Sequence, residues 1–162
     1  MTDDGDAARG SDDETAASIF AAVEVGDTDR TDGRTLTEAD VVNFAGVSGD
    51  FNHLHTDAER MAASDFGERI VHGTLVFSVM TGLLWQSRSE REREAVVAFY
   101  GVDSLRFRAP TFIGDTIHAE VEVGGKNERE HPIASGVVEY AVEVVDQDDR
   151  TVLSCELLSL VR

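Results

Sequence analysis

"HGTLVFSVMTGLLWQSRSE", residues 72–90, decides the fold. Leu75, Val76, Val79, Met80, Leu83 and Leu84 recur at helical spacing over about four turns. Val76, Phe77 and Trp85 widen the apolar surface, so the spacing predicts a long helix buried on most sides. "QSRSEREREA" reads as its solvated exit. From Ala95 onward the period changes from helical to alternating. "AVVAFYGVDSLRFRAP", "DTIHAEVEVGGK", "IASGVVEYAVEVVDQ" and "RTVLSCELLSLVR" are rich in Val, Ile, Thr and aromatics, which suit a pleated, half-buried surface. Pro110 with Gly114–Asp115, Gly124–Gly125 and Asp148–Asp149 read as the turns between them. A buried helix followed by four long strands running down-up-down-up implies an α+β fold, one antiparallel sheet around one central helix.

Upstream, "TLTEADVVNFAGVSG" is again helical. Thr37 is the expected N-cap with Asp40 three residues on, and Gly49 ends the helix. Val41, Phe44, Ala45 and Val47 are expected to share its inner face. "TDAERMAASDFG" predicts a second short helix, capped by Thr56 or Asp57 and stopped at Gly67. "IFAAVEVGDT" reads as a first short strand from Ile19, followed by the turn-rich "DTDRTDGRT". Residues 1–18 read as a disordered acidic tail, and residues 19–162 as one domain with neither internal repeat nor linker.

The charge excludes several partners. Asp plus Glu total 32 against 14 Lys plus Arg, for a net charge of −18, and the only lysine is Lys126. Such a surface repels nucleic acid and anionic membranes. It also repels itself until salt shortens the Debye length to about 3 Å near 1 M. The balance therefore points to adaptation to a salt-rich cytoplasm. No apolar run approaches the roughly 20 residues of a membrane span, and the N-terminus lacks the basic start and apolar stretch of a signal peptide. A cytoplasmic location is the expectation. Cys155 is the single cysteine and reads as a small buried hydrophobe.

Chemistry concentrates in "SGDFNHLHTD", residues 48–57. On an extended segment His53 and His55 would point the same way, and with Asp57 they could face zinc or non-haem iron. A second reading pairs Asp50 with His55: a carboxylate and an imidazole sharing one water can remove and return a proton. Asn52 would then brace the loop through side chain–backbone hydrogen bonds. A third reading is a hydrogen-bonded turn in which Asp50 caps and His55 packs. "VHGTL" adds weight to the second. Gly73 opens the long helix, where N–H groups lack intrahelical partners and the dipole is positive. Such donors can hold the oxygen of a polarised thioester, and glycine permits close approach. Thr81, eight residues on, falls near the same face. His72 reads as a site wall or a simple loop residue.

At these residues the chain resembles a known family. "FAGVSGDFNHLHTD" followed by "GERIVHGTLVFSVMTGLL" is similar to the MaoC-like, (R)-specific enoyl-CoA hydratases, as is the strand entry "FRAPTFIGDTIHAEVEV". Their hallmark is an S-G-D-x-N-P-L-H run followed by an H-G turn into the central helix. The resemblance runs from about Val23 to the C-terminus. It implies a hot-dog fold, homodimers and coenzyme A thioester substrates. It also implies Asp50 and His55 as the water-activating pair, Gly73 as backbone oxyanion donor, and Thr81 where members commonly carry an assisting serine. Two departures stand out: His53 replaces the usual proline, and Met61 a usually small residue. The activity implied is reversible hydration of a trans-2-enoyl-CoA to an (R)-3-hydroxyacyl-CoA, with no metal or redox cofactor. It would belong to polyester-precursor supply, fatty-acid oxidation or another acyl-CoA route. A hot-dog thioesterase and a non-catalytic acyl-CoA-binding subunit are the rivals. Either Arg106 and Arg108 or Arg88, Arg91 and Arg93 could meet coenzyme A phosphates.

Overall fold

The structure, a computed structural model, describes residues 18–162. Apart from Ser18, the expected acidic tail lies outside the described residues. The element order is α1 (Ile19–Ala22), β1 (Thr28–Arg30), β2 (Arg34–Thr35), α2 (Glu38–Ser48), α3 (His53–Thr56), α4 (Ala58–Ala62), α5 (Gly73–Ser87), α6 (Glu90–Ala95), β3 (Val96–Phe107), β4 (Thr116–His131), β5 (Ala134–Val145) and β6 (Thr151–Val161). The sheet is antiparallel in the order β1-β4-β5-β6-β3, with β2 also paired to β4. It wraps α5 in the expected α+β, hot-dog arrangement.

The strands do alternate in direction, but they are not a simple meander. β3 pairs with β6, so the chain from 108 to 115 crosses from one edge of the sheet to β4. On the way Thr111 accepts the Val71 N–H at 2.7 Å, and Phe112 bridges Ile70. This crossing therefore runs alongside the segment that leads into α5. Gly124–Gly125 is not a turn. β4 runs through it with a register shift between Val123 and Gly125, and the hairpin turn comes after His131, at Pro132–Ile133.

α5 holds the core. Leu75, Val76, Val79, Met80 and Leu83 pack on Ile117, Ala119, Val142, Val144 and Leu153 of the sheet. Burying each such side chain stabilises the fold by about 1.5–3 kcal/mol. The helix is buried on one side rather than on most sides: Thr74, Ser78 and Trp85 are exposed, and Leu84 only half-buried. α2 has the expected capping box, with Thr37 and Asp40 bonding reciprocally, but of its expected inner face Val47 is exposed. α4 is capped by Asp57 and ends before Gly67, whose φ of 76° serves the following turn.

Two segments differ in type from expectation. The stretch from Ile19 starts as a helical turn, capped by Ser18, and pairing begins only at Thr28. α1 is held down by Lys126, whose Nζ donates to the Val23 carbonyl at 2.5 Å and lies 4.9 Å from the Phe20 ring centroid. The exit "EREREA" is solvated as expected, with Glu90, Arg91, Arg93 and Glu94 exposed, but it is helical: it forms α6, opened by a Ser89–Glu92 capping box. Among the described residues no helix is long and apolar enough to cross a membrane.

Candidate active site

Asp50 and His55 are positioned by two helix boundaries. Gly49 caps α2 in the left-handed region, at φ 76°, and turns Asp50 off the helix. Asn52 then caps α3, its Oδ1 accepting from the Leu54 N–H at 2.8 Å. Its Nδ2 donates to Asp50 Oδ1 at 2.7 Å. One asparagine therefore starts the helical turn that carries His55 and pins the carboxylate that faces it. The bracing expected of Asn52 is thus extended to the Asp50 side chain itself.

His55 is buried, and its Nδ1–H donates to the Ile70 carbonyl at 2.7 Å. A carbonyl only accepts, so Nε2 keeps its lone pair. That nitrogen stands 3.9 Å from Asp50 Oδ2, beyond direct hydrogen-bond reach. Two acceptors bonded to one water at about 2.8 Å each sit roughly 4–4.5 Å apart, so the gap fits one water donating to both. Burial holds His55 below its usual pKa; the Ile70 bond opposes this, and His72 adds to it. The Asn52 amide and backbone N–H hold the Asp50 carboxyl below its usual range. At neutral pH the pair is a neutral imidazole and a carboxylate.

Gly73 opens α5, and with His55 it lines a cleft of about 350 Å³ that also includes Ile70, Val76, Phe107 and Arg108. The Phe107 ring lies directly over it: a Cβ at Gly73 would come within 2.7 Å of the ring. A side chain here would have to displace that ring, and the Gly73 N–H is a candidate donor as well.

His72 is neither wall nor loop residue. It is the N-cap residue of α5, but its side chain makes no cap bond and turns inward, 1% exposed. Its Nε2–H donates to the Asp50 carbonyl at 3.0 Å, and its ring stacks on His55 at 3.6 Å between centroids, inclined by 25°. Thr81 is not brought to the pair. Its hydroxyl donates to the Ser78 carbonyl at 2.8 Å, and it lines a separate groove of about 560 Å³ with Phe77, Trp85 and Phe99.

The extended metal-binding segment does not form. His53–Thr56 is helical, so His53 and His55 do not share a direction, and Asp57 accepts the Arg60 N–H at 2.9 Å. The donors that do converge are Asp50, His55 and His72, within 4.8 Å of one another. The His55 and His72 rings are stacked, and His55 Nδ1 and His72 Nε2 are already committed to the Ile70 and Asp50 carbonyls. His53 is the first residue of α3, the helical position where proline is most at home, which explains what a proline there would supply. Met61 is fully buried under α4.

Of the arginines, Arg108 lines the cleft and donates to Ser154 Oγ at 2.8 Å. Arg106 donates to its neighbour's carbonyl, Arg88 lies over Tyr140, and Arg93 donates to the Trp85 and Gln86 carbonyls at the end of α5. The contacts missed in the sequence are the Ile70 carbonyl, the Phe107 ring and Arg69. Arg69 bonds both oxygens of Glu38 and so ties the segment before α5 to the start of α2. A phenylalanine between Arg106 and Arg108, just before Pro110, was a weak signal for the second; a backbone carbonyl leaves none.

Residues 20–146 match the family model described as "MaoC like domain". The chain is 40% identical over 114 residues to the (R)-specific enoyl-CoA hydratase of Aeromonas caviae, covering 70% of this chain and 80% of that protein. It is 43% identical over 102 residues to Protein MaoC of Klebsiella aerogenes, covering 63% of this chain but only 29% of that relative's length. Among solved structures, one titled monoamine oxidase regulatory protein from Archaeoglobus fulgius superposes with a TM-score of 0.81 at 38% identity, covering 88% of this chain and 93% of the other. A helix-wrapping antiparallel sheet, the paired Asp50 and His55, and a family match across most of the chain lead to one conclusion: the protein belongs to the MaoC-like domain family.

Proposed function

We propose that the protein is an (R)-specific enoyl-CoA hydratase, adding water reversibly to trans-2-enoyl-CoA to give (R)-3-hydroxyacyl-CoA. The observation that carries this reading is the 3.9 Å gap between Asp50 Oδ2 and His55 Nε2, two acceptors opposed beside a helix N-terminus. A water held there donates one proton to each. As its oxygen bonds to C3 of the enoyl group, His55 takes a proton and the C2–C3 π electrons move toward the thioester oxygen. The Gly73 N–H stabilises that oxygen, worth on the order of 10²–10³ in rate for such a donor. Collapse of the enolate takes a proton onto C2, returned by the pair, so H and OH have added and the site is regenerated. Addition of water is redox-neutral, so the reaction calls for no redox cofactor, and no step needs a metal. Stereochemistry and coenzyme A as carrier follow the A. caviae relative's name.

The same reading takes the unit over residues 19–162 as a cytoplasmic homodimer, without nucleic-acid or membrane partners. β3 supports the dimer: it is an edge strand of 12 residues with Phe99 and Tyr100 exposed, a surface that edge pairing would cover. Sedimentation in molar KCl tests it, and a monomer at micromolar concentration would count against it. The chemistry is tested by Asp50→Asn, which keeps shape and removes the carboxylate. Crotonyl-CoA hydration should fall by about 10²–10⁴-fold, and a wild-type rate would sink the mechanism. Release of free thiol instead of hydration would identify a thioesterase.

A further inference from the structure

We propose that His72 is a positioning residue that sets the water-sized gap between Asp50 and His55, holding the backbone of one and the ring of the other at once. The proposal rests on the hydratase reading for its kinetic arm only.

Three observations support it. His72 occupies the N-cap of a 15-residue helix, where Ser, Thr, Asp or Asn would satisfy a free N–H, yet its side chain makes no cap bond. A local preference is given up there, as happens where a residue serves a site. Second, its Nε2–H is committed to the Asp50 carbonyl at 3.0 Å, leaving Nδ1 as the one buried side-chain nitrogen or oxygen, among the described residues, without a partner. Phe44 meets the same ring edge-on at 5.1 Å between centroids, so an apolar ring would suit the surroundings and strand no nitrogen. Third, the flat face of His72 lies on His55 at 3.6 Å.

Asn52 links the two through the backbone, holding the Asp50 carboxylate and accepting the His55 N–H, but it does not touch the His55 ring. Ile70 holds that ring and does not touch Asp50. His72 holds both. Without its N–H, the Asp50 carbonyl loses its partner and only the Ser48 Oγ contact to the Asp50 N–H restrains that backbone, so the carboxylate can advance and bond His55 directly. That closes the space for water and replaces a shared proton site with an ion pair.

The test compares His72→Phe, which keeps the stacked ring and removes the donor, with His72→Gln, which keeps a donor and removes the ring. For His72→Phe we expect an unchanged or higher Tm, crotonyl-CoA KM within about threefold, and kcat lower by about 10²-fold, the cost of a roughly 1 Å misplacement. His72→Gln should recover part of that loss. Independently of turnover, histidine ring NMR should show the His55 pKa rising by about one unit in His72→Phe, because Asp50 approaches while the His72 ring is lost. The charged or titratable groups acting on His55 are His72, Asp50 and His53, so His53→Ala run in parallel separates the last. Wild-type kcat together with an unmoved His55 pKa in His72→Phe would overturn the proposal. If that variant does not fold, the same pKa measurement on His72→Gln, expected near wild type, decides: a rise as large as one unit would show that the donor does not set the gap. A wild-type protein that hydrates no enoyl thioester would remove the hydratase reading and leave the NMR test standing.

Discussion

Replacing Gly73 with alanine separates two reasons for a glycine at the head of α5. The added Cβ would sit 2.7 Å from the Phe107 ring, against an ordinary carbon contact of about 3.5–4.0 Å, so the ring must retreat by about 1 Å. Phe107 is 54% exposed and can swing toward solvent. Gly73 already has helical geometry, so alanine costs no backbone strain and removes unfolded-state freedom, worth up to about 1 kcal/mol in favour of the fold. The melting temperature should therefore hold or rise. Catalysis should not survive as well. The new methyl stands beside the N–H meant to receive the thioester oxygen; alanine keeps that N–H, but crowding the oxygen off it forfeits up to the roughly 10²–10³ that such a donor supplies. We expect kcat/KM for crotonyl-CoA, followed by loss of enoyl-thioester absorbance in molar KCl, to drop by about 10²-fold. The double variant Gly73→Ala with Phe107→Ala removes the ring from the argument. If it recovers the wild-type rate, the displaced ring was the obstacle and the methyl was not. A single variant with wild-type kcat/KM would refute the reasoning that the thioester oxygen needs the open space beside the Gly73 N–H.

Three further outcomes are expected. Burial, reinforced by His72 and opposed by the Ile70 bond and Asp50, keeps His55 below its ordinary value of 6.5, so the acid limb of kcat/KM should lie below pH 6.5; a limb above it contradicts the buried neutral base. Burial alone would raise the Asp146 carboxyl, but the Arg150 and Asp148 N–H groups and the Arg150 guanidinium hold it below its usual range, so its contribution is present above the unfolded value and lost as pH falls through the lower folded one. Asp146→Ala should cost about 2–3 kcal/mol in denaturant unfolding at pH 7, and a loss under about 0.5 kcal/mol would show that the Asp146–Arg150 turn holds itself. With a net charge of −18, melting temperature should climb as KCl approaches molar concentration, and a flat or falling curve would end the high-salt interpretation.

Local rules were readable and non-local ones less so. The Thr37 cap, the apolar stripe of α5 and the alternating strands all rest on neighbours within a few residues. The pairing of β3 with β6 joins segments about fifty residues apart, and nothing in either segment names the other. Gly124–Gly125 looked like punctuation because glycine marks turns and bulges alike; only the partner strand distinguishes them. α6 was legible and missed, since Ser89 and Glu92 are the S-x-x-E signature of a capped start. At the site, the spacing of Asp50 and His55 allowed a pair, a metal site or a plain turn; the Asn52-capped turn that places Nε2 3.9 Å from Asp50 Oδ2 is a feature of the structure. The direction of the His72 side chain was not, because an N-cap histidine normally has no reason to turn inward.

The lysine that pins α1 has a practical consequence for anyone who modifies this protein. The chain carries a single lysine, and its ammonium is already committed to the Val23 carbonyl and the Phe20 ring. Amine-directed dyes, cross-linkers and immobilisation resins therefore have one side-chain target, and reacting with it unfastens the N-terminal turn. Attachment through carboxylates, or through an introduced surface cysteine, leaves that fastening in place; Cys155 would not compete for thiol reagents, buried as it is with its thiol pushed up to about 11.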